Sequence, residues 1–238
     1  GVLGYNKNKV TYVNVKAPAI FLQFDYPAAY PRVGVPYNAI YGYLWAGLDS
    51  KGQPQVSDSE GNIHVSSSPQ KVEDAVYLGT SVPVYSGAIN TNLRYKNWEL
   101  AAQLLFEGGH KMRNTNIAYP GLGVTSKDVS KRWRQPGDEA YTDVPRYVPS
   151  ESKDYNSYSS DLYSKASIHV LDADNWRLKN LSVTYHVPAS VCQKFYVKNA
   201  RIMLGMENVF TLAKSRDVKW MLGGYSKPNY LCNVNLNF

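Results

Sequence analysis

Apolar and polar side chains alternate one by one along several stretches of the chain, most clearly along the last one. One set comprises Tyr230, Cys232, Val234, Leu236 and Phe238, and the other comprises Leu231, Asn233, Asn235 and Asn237. Successive side chains of a β-strand point to opposite faces of its sheet. This segment is therefore predicted to be a strand with one apolar face and one face of mostly amide side chains.

Residues 89–96, 98–107, 180–187 and 201–207 repeat the same alternation. The first two of these segments meet at Lys96 and Asn97, where we expect a tight hairpin. Each segment has about the length of a membrane-crossing strand, ~9 to 11 residues. The chain is therefore predicted to be an all-β protein.

The first 86 residues show the pattern less clearly. Residues 10–15 and 19–24 are strand-like, and Tyr41, Tyr43 and Trp45 alternate with smaller side chains. Residues 47–75 are polar and rich in turn-forming residues, which predicts a loop. About eight strands are expected in total.

Two features favour a transmembrane β-barrel over a soluble β-sandwich. Rows of Asn, Gln, Glu, Arg and His on the polar faces suit a water-filled lumen, with His186 among them. Aromatic residues also mark the strand ends, as two girdles flank the apolar band of such barrels. One predicted level holds Tyr95, Trp98, Tyr185 and Phe238, and the other holds Phe106, Trp176, Phe210 and Tyr230.

Connection lengths agree with a barrel whose final strand ends in the periplasm. Residues 108–172 and 212–227 would then be long outside loops, whereas 188–199 and the turn at Lys96 would lie inside. Outer-membrane barrels sort their loops in this way. Cys232 should face lipid on the last strand and Cys192 should lie in an inside turn, too far away for a disulfide.

Charge and composition narrow the function. The net charge is +7, but the basic residues are scattered and form no nucleic-acid-binding motif. No catalytic, cofactor or metal motif is present, so we expect no enzyme and no cofactor. The first residues also lack the pattern of a signal peptide, which predicts a mature product or a fragment.

One loop concentrates carboxylates. Asp138, Glu139 and Asp143 could form a catalytic pair, but a loop held by Arg132, Arg134 and Arg146 is favoured. The nearby tyrosines could either stack on a sugar or peptide or pack the loop on itself, and packing is favoured. They are Tyr119, Tyr141, Tyr147, Tyr155, Tyr158 and Tyr163.

Six segments in series resemble the C-terminal barrel portion of SusC/RagA-like TonB-dependent transporters. They are 40–55 (IYGYLWAGLD, then GQPQ), 77–100 (YLGTSVPVYSG, then YKNWEL), 132–146 (RW, PGDE, DVPR), 176–188 (WRLKNLSVTYHVP), 207–211 (ENVFT) and 235–238 (NLNF). Val187 and Glu207 depart from the residues more usual in this family, and Cys232 is unusual.

The resemblance implies that residues 1–238 are the C-terminal part of a barrel of about 22 strands, with the plug and the TonB-contacting segment absent from this chain. The implied function is active import of oligosaccharides or peptides across the outer membrane of a Gram-negative bacterium, with Bacteroidota as the expected source. The implied partners are the plug and N-terminal strands of the same transporter, a SusD-like lipoprotein, the TonB complex, lipid and lipopolysaccharide.

Two sets of residues have candidate roles. Phe238, Leu236, Val234 and Tyr230 resemble the C-terminal signal by which the barrel-assembly machinery recognises outer-membrane proteins, and they could also be an ordinary strand end with a girdle aromatic. Trp133, Arg134, Asp138 and Arg146 are candidate loop contacts to substrate or to the SusD-like lipoprotein as a lid. Two other functions stay open. A self-contained small outer-membrane barrel would close and be stable alone, and a soluble carbohydrate-binding β-sandwich would need no detergent.

Overall fold

The computed structural model describes residues 1–65, 67, 69, 71–120 and 127–238. Its strands, in chain order, are β1 (Val2–Tyr5), β2 (Ala39–Gly42), β3 (Leu44–Leu48), β4 (Pro54–Ser57), β5 (Ile63–His64), β6 (Val76–Thr80), β7 (Tyr85–Tyr95), β8 (Trp98–Gly108), β9 (Lys111–Arg113), β10 (Val170–Asp172), β11 (Asn175–His186), β12 (Asn199–Ala213) and β13 (Asn229–Asn237). Its α-helices are α1 (Ile20–Asp25), α2 (Tyr158–Lys165), α3 (Ala189–Cys192) and α4 (Arg216–Met221). None of the described helices is long and apolar enough to cross a membrane.

The chain divides into two compact units. Unit 1 contains residues Gly1–Asn6, Pro83–His110 and Asp172–Phe238, and unit 2 contains Lys7–Val82 and Lys111–Leu171. Unit 2 is thus made of two long segments inserted between strands of unit 1.

Unit 1 is an antiparallel sheet in the order β1-β7-β8-β11-β12-β13. Its four C-terminal strands and β7 coincide with the segments that alternate in the sequence, so the all-β prediction is confirmed. The described residues place six strands in this sheet. Closure into a barrel and the number of about eight spanning strands stay predictions.

The expected hairpin is present between β7 and β8, where Tyr95 lies opposite Trp98. Lys96 occupies the left-handed backbone region with φ 53°. The Asn97 side chain ties the turn to the next strand, since its Nδ2 donates to the carbonyl oxygen of His186 at 3.0 Å. The short turn is thereby fixed on two neighbouring strands.

A β-bulge interrupts β11 between Leu178 and Asn180. A bulge places one extra residue on a strand and shifts which side chains share a face. Leu178 and Leu181, three residues apart, therefore lie on the same apolar face, as their partners Leu104 and Ala102 do. Without the bulge, strict alternation from Leu181 would put Trp176 on the polar face.

Unit 2 has its own core, which combines both inserted segments. Tyr41, Tyr43 and Val56 from the first segment pack with Leu162 and Ala166 from the second. Tyr43 pairs with Ala166 in a parallel bridge. In the described residues, three small sheets have the orders β2-β6, β3-β4-β5 and β9-β10.

Two predicted strands near the start are wrong. Residues 10–15 form no strand, although Val10 exchanges backbone hydrogen bonds with Gly34 and Val35. Residues 20–25 are the helix α1, which buries Ile20 and Gln23 and places Phe24 on Tyr43 with ring centroids 4.7 Å apart. Spacings of three and four residues on one face are those of a helix rather than a strand.

The segment 47–75, predicted to be a loop, contains β4 and β5, but its predicted turns are present. Asp49 Oδ1 accepts hydrogen bonds from the amides of Lys51 and Gln53 at 2.9 and 2.7 Å. Asp58 Oδ1 accepts in the same way from Glu60 and Asn62 at 2.9 and 2.8 Å. Both turns connect strands of one small sheet. The long stretch 108–172 likewise contains β9, α2 and β10, and its residues 121–126 lie outside the described residues.

Candidate functional site

The polar face of the unit 1 sheet is the first candidate site. Cross-strand register aligns five of its polar residues in one row, one from each of five strands: Asn90, Gln103, Asn180, Glu207 and Asn229. Within this row, Asn180 Nδ2 donates to Gln103 Oε1 at 3.0 Å. Amide side chains both donate and accept, so this face can hydrogen-bond water or a neutral polar solute.

A second polar cluster lies towards the short turns. Asn92 Nδ2 donates to Glu99 Oε1 at 2.8 Å, and His186 Nε2 lies 3.1 Å from Glu99 Oε2. His186 thus lies on the polar face, as its sequence position predicts, and is paired there with a carboxylate. Three neighbouring strands are joined by these contacts.

A third polar cluster lies at the opposite end of the same strands. Glu107 on β8 forms an ion pair with Arg177 Nη2 at 2.9 Å and accepts from Asn175 Nδ2 at 3.2 Å. Both partners belong to β11. Charge-assisted bonds of this kind hold the strand ends in register.

The other face of the sheet is apolar and carries aromatic residues near both ends. Trp98 and Tyr185 contact each other with ring centroids 4.7 Å apart, and Tyr95 lies in the same row. Phe106 and Trp176 stack at 5.1 Å near the other end. These contacts agree with the predicted grouping of Tyr95, Trp98 and Tyr185 at one end and of Phe106 and Trp176 at the other. Phe238 lies beyond the first row, because Val234 is the residue of β13 that is level with Tyr185.

Phe210 and Tyr230 lie nearer the middle of the register than Trp176. Phe210 is opposite Leu178, one row inwards, and Tyr230 is level with Leu181, a further row inwards. Hydrogen-bonded rows run obliquely to a barrel axis because barrel strands are tilted. A common girdle level for these two residues stays a prediction.

The residues proposed as an insertion signal all belong to the apolar side of β13 or follow it directly. Tyr230, Val234, Leu236 and Phe238 are exposed. In the described residues β13 pairs with β12 along one edge. Cys232 is exposed on the same strand, whereas Cys192 is buried in the turn after β11, and both thiols are free.

The second candidate site is the loop with Trp133, Arg134, Asp138 and Arg146, in unit 2. Trp133 is only 8% exposed and its Nε1 donates to Glu139 Oε2 at 2.8 Å. Asp138 Oδ2 accepts from the amides of Arg134 and Gln135 at 2.9 and 3.1 Å. The structure thus gathers three of the four predicted residues into one hydrogen-bonded turn.

Gly52 connects the fourth residue to this turn. Its carbonyl accepts from the Arg146 amide at 3.0 Å, and the Trp133 indole covers its Cα. The Arg146 side chain reaches Asp154 at 3.5 Å. All four residues therefore have structural contacts in the loop, and their proposed contact with substrate or lid stays a prediction.

The carboxylates of this loop are engaged locally. The Trp133 indole N–H, together with the backbone amides of Glu139 and Gly137, holds the pKa of Glu139 below its ordinary value. Asp143 Oδ1 accepts from Trp45 Nε1 at 3.0 Å. A general acid requires a raised pKa, so this arrangement favours the structural interpretation over a catalytic pair.

Four of the six loop tyrosines fall into two groups, and the other two, Tyr141 and Tyr158, are exposed. Tyr119, Tyr147 and Tyr155 line a cleft of about 150 Å³ together with Gln53 and Asn156. Tyr163 is buried and packs against Trp45, with ring centroids 5.6 Å apart. Packing therefore explains Tyr163, whereas the cleft tyrosines are accessible to a small solute.

Sequence reasoning did not identify the buried polar groups of the unit 2 core. Arg113 donates to the carbonyl oxygens of Tyr41 and Ser164. His169 contacts the Tyr163 ring edge-on at 4.4 Å, and burial, assisted by the Arg113 charge, lowers its pKa to about 4. Neither residue lies in a motif, so the sequence offered no signal for them.

The described residues contain no group of three or more His, Cys, Asp or Glu side chains placed to hold a metal ion. No protein-family model matches the chain. A curated relative, TonB-dependent receptor P3 of Formosa agariphila, is 25% identical over 213 residues, which are 82% of this chain and 19% of the relative.

Solved structures of a peptide importer share the fold. The RagAB peptide importer in its open-open state superposes with a TM-score of 0.69 and 21% identity, over 99% of this chain and 26% of the importer chain. Its closed-closed state gives a TM-score of 0.62 and 23% identity, over 87% and 24% of the two chains. The chain thus spans about a fifth to a quarter of the proteins it matches.

The two-faced sheet and these likenesses together define the class: the chain is similar to a portion of a TonB-dependent transporter. The six motifs in series resemble SusC/RagA-like transporters, and the fold is shared with the RagAB importer structures, so the resemblance seen in the sequence is confirmed as a likeness. The matched proteins are receptors and transporters, so the prediction that the chain is not an enzyme is also confirmed.

Proposed function

We propose that unit 1 is part of the membrane-embedded wall of an outer-membrane importer. The observation that carries this proposal is the two-faced sheet. The distance between the row of Trp98 and the row of Phe106 is about 26 Å along the strand. It corresponds to about 20 Å along the barrel axis at a strand tilt of ~40°. This height is comparable with the apolar band of outer-membrane barrels, about 25 Å.

The polar face would then line the channel. Its amide rows and its paired charges are hydrated groups that would be costly against lipid. The apolar face would contact lipid and, at its outer end, lipopolysaccharide. The free edges of β1 and β13 would pair with the remaining strands of the same transporter, since an unpaired edge cannot persist in a membrane.

Connections between the strands support the proposed orientation. The turns at Lys96 and at residues 187–198 lie at one end of the sheet, whereas both segments of unit 2 leave it at the other. Outer-membrane barrels have short periplasmic turns and long extracellular loops. Unit 2 is therefore proposed to be extracellular.

The complete transporter is proposed to import oligosaccharides or peptides with a SusD-like surface lipoprotein as its lid. TonB, acting on a plug domain outside this chain, would supply the energy. Support comes from the receptor and importer relatives. The same likenesses support the proposed location in the outer membrane of a Gram-negative bacterium, and the Bacteroidota remain the expected source. A nucleic-acid partner has no support from the charge pattern.

Two neighbouring residues test the membrane placement. Leu181 lies on the apolar face in the middle row with Ala102 and Met206, whereas Ser182 lies on the polar face. Leu181→Arg would put a charge at the middle of the lipid layer, at a cost of about 2–4 kcal/mol. Ser182→Arg is the matched control, because its charge would lie in the lumen.

The measurement is the amount of folded transporter in outer-membrane fractions, read from heat-modifiable mobility. We expect Leu181→Arg to lower the amount of folded transporter severely and Ser182→Arg to leave most of it unchanged. Equal losses, or a larger loss for Ser182→Arg, would overturn the assignment of the two faces.

A further inference from the structure

The turn between β11 and β12 is a short helical segment. The helix α3 continues into a 3₁₀ turn, Gln193–Phe195. Cys192 anchors it from below, being only 3% exposed. The amide of Val197 donates to the carbonyl of Cys192 at 3.1 Å, which closes the turn.

The exposed surface of this turn carries apolar side chains. Val191, Phe195 and Tyr196 are 41%, 72% and 92% exposed. Val191 and Phe195 are four residues apart in a helical segment, so they lie on the same side of it. Exposed aromatic side chains clustered in this way mark a surface that contacts another apolar phase.

The same turn is basic. Residues 187–199 contain Lys194 and Lys198 and no Asp or Glu. Both lysines are exposed. The neighbouring short hairpin adds Lys96, whose Nζ lies over the Tyr95 ring at 5.4 Å from its centroid. Aromatic and basic residues together are typical of the interface between a membrane and water.

Register places the turn just beyond the row of Trp98 and Tyr185. Val187 follows Tyr185 by two residues, about 7 Å along the strand or about 5 Å along a tilted barrel axis. The headgroup layer outside the hydrocarbon core is roughly 5–8 Å thick on each side. The amide of Lys198 donates to the carbonyl of Asn237 at 2.7 Å, which fixes this lysine at the end of β13.

We propose that residues 189–198 are an interfacial anchor lying in the headgroup layer of the periplasmic leaflet. Val191, Phe195 and Tyr196 insert beside the acyl chains, and Lys194 and Lys198 bind the phosphates of anionic phospholipids. The proposal rests on the proposed membrane placement of unit 1. Continuity with the aromatic row and the uniform positive charge favour phospholipid over a protein partner.

Photocrosslinking in the complete transporter, expressed in its outer membrane, tests the depth. The photoreactive residue p-benzoylphenylalanine replaces Phe195, Leu204 or Tyr141 in turn, and mass spectrometry identifies the adducts. Leu204 lies on the apolar face, and Tyr141 is 91% exposed in unit 2. We expect phospholipid adducts at 195 and 204 and none at 141.

The outcomes separate the two proposals. Lipid adducts at 204 but not at 195 would overturn the anchor and leave the membrane placement intact. Protein adducts at 195 would assign the turn to a protein interface instead. The absence of lipid adducts at 204 would overturn the placement of unit 1 itself.

Lipid selectivity tests the role of the lysines. The purified transporter is placed in nanodiscs of equal parts phosphatidylglycerol and phosphatidylcholine, and bound lipids are counted by native mass spectrometry. Each lysine near a membrane surface favours an anionic lipid about five-fold. The double variant Lys194→Gln/Lys198→Gln should therefore lose most of the preference for phosphatidylglycerol.

The matched control is Lys51→Gln/Lys153→Gln, which removes the same charge from exposed positions in unit 2. It should keep the preference of the unaltered protein. Equal preference in both double variants would overturn the assignment of phosphate binding to Lys194 and Lys198.

Discussion

Gly52 lies under the Trp133 indole, where a methyl group has no space. A Cβ built on Gly52 would be 2.5 Å from Trp133 Cδ2, and the glycine adopts φ +73°. Gly52→Ala would therefore add a left-handed backbone cost of about 1–2 kcal/mol. Displacing the ring adds a further 1–3 kcal/mol or so, a typical cost of overpacking.

The amides around this contact report its loss. The Trp133 amide donates to Val144 at 2.9 Å, and the Arg146 amide donates to Gly52 at 3.0 Å. A total cost of about 2–5 kcal/mol corresponds to hydrogen exchange that is roughly 30-fold faster or more at both amides. The assay is hydrogen–deuterium exchange with mass spectrometry on the complete transporter.

Gly61→Ala is the matched control. Gly61 also has a positive φ, +87°, but nothing lies within 4 Å of its would-be Cβ. This variant isolates the backbone cost and should leave exchange at Trp133 and Arg146 unchanged. If Gly52→Ala also left those two amides unchanged, the loop would not depend on the Trp133 contact. Trp133 would then be free to serve as the substrate contact suggested by its motif.

Two further predictions concern pH and the hairpin. The pKa of His169 is lowered to about 4, whereas an unfolded histidine titrates near 6.5. Between these two pH values the unfolded state binds more protons than the folded state. The free energy of unfolding of unit 2 should therefore fall by roughly 3 kcal/mol as the pH is lowered through this window. His169→Phe should flatten this dependence in denaturation monitored by exchange, and an unchanged slope would refute the assignment. Lys96→Gly should stabilise the hairpin by about 1 kcal/mol, because Lys96 has φ 53°. Hydrogen exchange at the amides of the hairpin should slow about five-fold, and faster exchange would mean that the Lys96 side chain stabilises the turn.

Sequence alternation was sufficient for the long strands because one face of each is apolar along its whole length. Alternation alone did not locate the bulge at Lys179, although the sequence contains a sign of it. Trp176 and Leu181 are five residues apart, an odd number, so strict alternation puts them on opposite faces, yet both are expected on the apolar face. When the apolar positions change from even to odd numbers within one strand, an extra residue, and therefore a bulge, is predicted between them.

Unit 2 was harder to predict because its core depends on contacts between distant segments. The amide of Trp45 donates to Ser167 Oγ across 122 positions of sequence. The local pattern of apolar and polar residues carries no information about such distant pairs. Short elements such as β5, with two residues, are also too short to show the alternation of a strand. The helix α1 was mistaken for a strand because six residues contain fewer than two helical turns.

The sequence motifs predicted which loop residues lie together, but not which contacts they make. Trp133, Arg134 and Asp138 do lie together in one turn, as their spacing suggested. Their hydrogen bonds go largely to backbone amides and to an indole, which no side-chain motif shows. Their contact with substrate or with a lipoprotein lid stays a prediction.

Unit 2 divides its core between two insertions, and this constrains how proteins with this fold can diversify. Tyr41 and Tyr43 come from the first insertion, and Leu162 and Ala166 come from the second. A graft that exchanged only one insertion would leave the core residues of the other without their native partners. Recombination or engineering must therefore transfer residues 7–82 and 111–171 as a pair, and single-loop chimaeras should be rare among functional relatives.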